Sequence, residues 1–250
     1  LCKEDGGLLG WGNAALRLNE FRQLLKIRLE QKGEDMMETM GMGWLPDYPD
    51  LRDHTADRDR VSPKLKTLGQ RDSVKVMLRK VGITGPAKTL PPAVDLRPWC
   101  SPIEDQLTLG SCTAHAGVGL VEYFERRASG TFVDASRLFL YKVTRNLLHL
   151  KGDTGAFLRA TMGALVLFGV PPEEHWRYVV DDFEKEPPAF CYAFAQNYQA
   201  IDYYRLDPPG TDKEVLLERI KRNLAVGLCS MFGFTVYSSF KQATATGKIP

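Results

Sequence analysis

The chain has 250 residues, 44% hydrophobic and 26% charged, a composition ordinary for a globular protein and too apolar for a disordered one. Its 33 basic and 31 acidic side chains leave a net charge of +2, which argues against a dedicated nucleic-acid binder. The longest apolar run, Ala164 to Val170, is far short of the roughly 20 residues needed to cross a bilayer, so no membrane partner is expected either.

Taken in chain order, Ala14 to Gln31 spaces Leu18, Phe21, Leu25 and Leu29 three and four apart, which predicts one amphipathic helix. Gly41 to Asp53 (GMGWLPDYPDLRD) follows, and its prolines and glycines forbid a helix. Trp44, Leu45, Tyr48 and Leu51 make it too apolar for an idle linker, so it is expected to lie extended on another surface. A short helix is expected from Ser73 to Lys80. Gly85-Pro86 and Pro91-Pro92 then mark a boundary, dividing an appendage (residues 1–89) from a main domain (90–250).

In the main domain, helices are expected over Ser111 to Arg127, Ala135 to Leu150 and Phe157 to Phe168, the last stopped by Gly169 and Pro171-Pro172. Later segments turn to strand patterns at Gln199 to Leu206 and Ala225 to Val236, with an amphipathic helix over Asp212 to Leu224 between them. Helices first and strands later predict an α+β protein with segregated layers.

Five cysteines (Cys2, Cys100, Cys112, Cys191, Cys229) without CxxC or Cys/His ligand spacing argue against a disulfide framework and a structural zinc site. The Asp181-Asp182-Glu184 cluster is a poor candidate for a specific metal site, and no metal or cofactor is expected. Chemistry concentrates at Cys112. Gly110 and Ser111 precede a helix whose first turn holds this thiol, where unpaired N–H groups and the helix dipole favour a thiolate and lower its pKa. Gln106 lies six positions upstream on a loop. Folded back, its side-chain amide and the Cys112 N–H would make a two-donor oxyanion hole. Without that context, a cysteine at a helix start is more often a small core residue.

The run Val94-Asp-Leu-Arg, then Pro102-Ile-Glu-Asp-Gln106, then Gly110-Ser-Cys112 opening a long helix resembles the start of a mature papain-family cysteine peptidase. The similarity continues through Asp134 to Lys142, Gly152-Asp-Thr-Gly155, Gly169 to Tyr178 and the Ala225 to Tyr237 stretch. Gly41 to Asp53 is similar to the pro-segment of bacterial members, and Thr113 and His115 point to that branch. Leu109 replaces the cysteine of the eukaryotic motif, so that family disulfide has no partner here.

The resemblance implies a papain-like fold, a helical left half plus the beginning of a β-barrel right half, preceded by a pro-region. It implies hydrolysis of peptide or protein substrates through Cys112 and Gln106, with Gly110, Ser111, Gly155 and Ala156 binding the substrate. It also implies that Gly41 to Asp53 occupies the cleft of a precursor.

The family's Gly-His-Ala strand and its asparagine are absent before Pro250. The chain is therefore expected to be a piece of a longer protein and inactive by itself. His115, one turn from Cys112, is expected to be a hydrogen-bonded core residue, and His54, His149 and His175 are expected to be structural. Two alternatives stay open: a non-catalytic papain-fold peptide-binding protein, and another thiol enzyme such as an amide hydrolase or transglutaminase.

Overall fold

The structure, a computed structural model, describes residues 42–50, 53–61, 63–67, 69–85, 89–243 and 248. All of these lie in one unit, Met40–Pro250, and the helix expected over Ala14 to Gln31 falls outside the described residues. From Met42 the chain runs extended, as its prolines require, and includes strand β1 (Trp44–Leu45). Helices α1 (Pro63–Thr67) and α2 (Val74–Lys80) follow. Ser73 starts α2 by accepting the Val76 N–H at 3.3 Å on its hydroxyl. Val74, Leu78 and Ile83 form a small apolar cluster against Tyr204, Val226 and Leu228.

Three helices build the main core: α3 (Cys112–Ser129), α4 (Arg137–Leu147) and α5 (Leu158–Leu167). Every residue of α4 from Arg137 to Arg145 is buried, because α3 and α5 both pack on it. Gly117 of α3 permits this approach. A methyl group there would lie 3.1 Å from both Leu140 Cδ2 and Thr161 Cγ2. Arg145 is a buried charge inside this core, so it needs partners. Its guanidinium sits over the Tyr141 ring at 4.3 Å, donates to the Gly152 carbonyl at 2.7 Å and pairs with Glu184 at 3.0 Å. These contacts fix the loop between α4 and strand β2 (Ala156–Phe157), which is where the site lies.

Helix α6 (Ala189–Ala195) does not stand out in the sequence, because its aromatic-rich FCYAFA run has modest helix propensity. Burial of Cys191 and Ala195 in the core holds it. Helix α7 (Lys213–Ala225) begins at the expected Asp212, whose carboxylate accepts the Glu214 N–H at 2.8 Å.

The strands expected at Gln199 to Leu206 and Ala225 to Val236 are not formed. The one ladder among the described residues is β1 with β2, parallel, pairing Trp44 with Ala156 and Leu45 with Phe157. Alternating apolar residues choose a face, but a strand also needs a neighbour for its backbone groups. The 225–236 segment has no such neighbour among the described residues, and it leaves Phe232 and Phe234 exposed. The layered α+β class stands on the helical core and the small sheet.

Candidate active site

Cys112 is the first residue of α3, as the Gly-Ser-Cys pattern predicts, and its side chain is half-buried. Ser111 takes the N-cap position, but its hydroxyl does not cap the helix. It bonds instead to the Tyr178 hydroxyl at 2.7 Å, and Tyr178 donates to the Gln106 carbonyl at 2.8 Å. One tyrosine thus ties the Gln106 loop to the helix start. The Gln106 side-chain amide donates to the Leu109 carbonyl at 2.9 Å, which holds it along the loop leading into Cys112.

Gly110 is held from the other side. Its N–H is shared between the two Asp153 carboxylate oxygens at 2.9 and 3.0 Å. Asp153 also accepts the Tyr141 hydroxyl proton at 2.5 Å, and that hydroxyl oxygen accepts the Gly155 N–H at 3.1 Å. Burial, and then the Asp153 carboxylate, push the Tyr141 phenol far up, so it stays a neutral donor. The structure therefore brings together Gly110, Ser111, Cys112, Gly155 and Ala156 around one helix start.

Reading residues alone misses Tyr141, Asp153 and Tyr178. Each lies within a segment similar to the family, but a supporting hydrogen-bond network leaves no spacing signature of its own.

The expected extended segment lies directly over this assembly. Ala156 donates its N–H to the Gly43 carbonyl at 2.8 Å, the first bond of the β1–β2 pairing. The backbone N–H groups of Gly43 and Trp44, beside those of Cys112 and Thr113, lower the pKa of the Cys112 thiol. The approach demands glycine twice. A methyl on Gly43 would overlap the Gly110 carbonyl, and one on Gly155, whose φ is +75°, would overlap the Gly43 carbonyl. The Trp44 ring lies so close to Gly233 that a side chain there would collide with it.

This covering changes the electrostatics expected from sequence. Burial pushes the Cys112 thiol above its ordinary pKa, more than the four N–H groups lower it. The helix-start argument for a thiolate holds only for a sulfur that water also reaches.

The histidines sit as structural residues. His115 Nδ1 engages the Ser111 carbonyl at 3.1 Å, its ring meets Tyr178 edge-on, and burial lowers its pKa. His54 stacks on Tyr203, and His175 packs between Phe190 and Phe194. His149 follows α4 with a positive φ of 54°. Asp182 pairs with Lys185 at 2.7 Å and Glu184 with Arg145, and no cluster of metal-binding side chains occurs among the described residues.

No protein-family model matches the chain. It is 33% identical over 216 residues to an uncharacterized peptidase C1-like protein of Acanthamoeba polyphaga mimivirus, covering 82% of this chain and 65% of that protein. Its fold is similar to that of xylellain, a cysteine protease from Xylella fastidiosa. The TM-score is 0.54 at 27% identity, over 77% of this chain and 66% of that one. The chain has a papain-like cysteine-protease fold. It spans slightly less than two thirds of the length of either protein.

Proposed function

We propose that this papain-like chain is a cysteine-type peptidase in precursor form, with residues 1–89 as the pro-region and 90–250 in the peptidase domain. The Cys112 thiolate attacks a peptide carbonyl. The Cys112 N–H and the Gln106 amide receive the developing oxyanion. Collapse of the tetrahedral intermediate expels the amine, which must take up a proton, and water then releases the acyl group. Gly110, Ser111, Gly155 and Ala156 hold the substrate backbone.

The observation that carries this reading is the position of the extended strap around β1: Gly43 packs on Gly110 beside Cys112, and its carbonyl pairs with the Ala156 N–H. A proline-stiffened extended segment loses little entropy on docking, which suits a built-in plug. His115, one turn from Cys112, has its Nδ1 on the Ser111 carbonyl, and no histidine of this chain is expected to serve as the base, so the chain alone is not expected to turn over peptides.

The test uses the chain carrying Gly43→Val, which expels the strap. A peptidyl chloromethyl ketone is expected to label Cys112 in this variant faster than a simple chloroacetamide of similar reactivity. Cys191 and Cys229 should show no such preference. Equal rates for the two reagents would mean that no peptide groove leads to Cys112.

A further inference from the structure

The strap is anchored beyond β1 by charge. The Arg159 N–H, in the first turn of α5, donates to Asp47 Oδ2 at 3.2 Å, and Arg159 Nη1 lies 3.3 Å from Asp47 Oδ1. The same guanidinium donates through Nε to Asp53 Oδ1 at 2.5 Å and through Nη2 to the Tyr48 carbonyl at 2.6 Å. Arg205 Nη1 lies 3.2 Å from Asp53 Oδ2. These groups are shielded: the Asp47 side chain is 12% exposed and that of Arg159 is 20% exposed. A helix N-terminus and a guanidinium therefore converge on a carboxylate that the chain itself supplies.

Arg159 also stands two positions beyond Phe157, at the end of the edge with which the strap pairs. When the strap leaves, the guanidinium and the α5 N–H lose these partners, and whatever next covers them must replace the bonds. A neutral occupant would leave them unpaired, whereas an acidic one restores the bonds.

We infer that Arg159, with the first-turn N–H of α5 and Arg205 beside it, selects peptide substrates that carry a carboxylate where Asp47 now lies. This inference rests on the peptidase reading of the groove and adds the substrate class: acidic peptides. Asp47 stands in for the acidic side chain of the substrate, and the strap shows the geometry that such a side chain adopts.

The experiment uses the full chain with Gly43→Val and a fluorescein-labelled peptide of the Gly41 to Asp53 sequence, followed by fluorescence anisotropy. The Asp47→Asn form of the peptide is expected to bind about tenfold more weakly, and Arg159→Gln in the protein is expected to abolish that difference. Equal binding of the two peptides, a difference that survives Arg159→Gln, or no binding of the acidic peptide overturns the inference. Should Gly43→Val fail to fold, the chain with Asp47→Asn and Asp53→Asn serves as host, since it loosens the strap without touching its backbone. Labelling of Cys112 by a peptidyl electrophile is read separately. Labelling without an acidic preference overturns only this inference. An acidic preference without peptide-directed labelling overturns the peptidase reading and leaves the carboxylate subsite standing.

Discussion

The Gly43 carbonyl accepts the Ala156 N–H at 2.8 Å, and the N–H of the same glycine lowers the pKa of the Cys112 thiol. One residue thus joins the strap both to the strand edge and to the thiol. Gly43→Ala is expected to break both contacts, because its methyl group would overlap the Gly110 carbonyl. Hydrogen exchange at the Ala156 amide measures the loss, and we predict faster exchange in Gly43→Ala than in the unaltered chain.

Acid is expected to loosen the strap through Asp53. Burial pushes its carboxyl up, but the Arg159 hydrogen bond, the Asp50 N–H and the charges of Arg159 and Arg205 outweigh it, so its pKa falls below the ordinary 3.8. A carboxylate with a depressed pKa stabilises the docked form above 3.8, and that contribution is lost as the pH drops through the lowered value. Asp47 is held differently: burial raises its pKa although the Arg159 N–H and guanidinium pull it down, so its carboxylate depends on those two contacts to stay docked. The Trp44-dependent part of the fluorescence should therefore change below about pH 4. Asp53→Asn should remove that transition and Asp47→Asn should keep it.

Tyr141 bridges the Gly110 and Gly155 loops. Tyr141→Phe leaves the buried Gly155 N–H without its acceptor and removes one partner of Asp153. A loss of about 1–3 kcal/mol in denaturant unfolding is expected. Tyr178→Phe is the companion variant, and it should free the Gln106 loop from Ser111.

Two glycines of α3 give a paired test of the core. Gly117 faces Leu140 and Thr161, so Gly117→Val should cost about 1–3 kcal/mol through overpacking. Gly119 faces open space, and Gly119→Ala should gain up to about 1 kcal/mol from helix propensity. Similar effects at the two positions would contradict the packing described.

Much of this was legible in the sequence where short-range rules apply. Ser73 and Asp212 announce their helices by capping, and the apolar periodicity of α3 and α5 marks which faces turn inward. The extended run from Met42 to Pro49 is dictated by its prolines, and its burden of Trp44 and Leu45 says that it lies on something. What it lies on is a long-range fact. The pairing of Gly43 with Ala156 and the clamp of Arg159 on Asp47 join residues more than a hundred positions apart, which no local pattern encodes. The strands expected near Gln199 and Ala225 failed for the same reason, since a pleated pattern does not supply its own partner. The upward shift of the thiol is not legible, because the helix-start field is visible in sequence and the covering strap is not.

The strap shields Cys112, and the alkylation rate of that sulfur measures the shielding most directly. With iodoacetamide at pH 7.5, Cys112 in the unaltered chain is expected to react at least roughly tenfold more slowly than Cys112 in Gly43→Val, where burial no longer holds the thiol up. Equal rates at Cys112 in the two proteins, with Gly43→Val folded, would contradict the account.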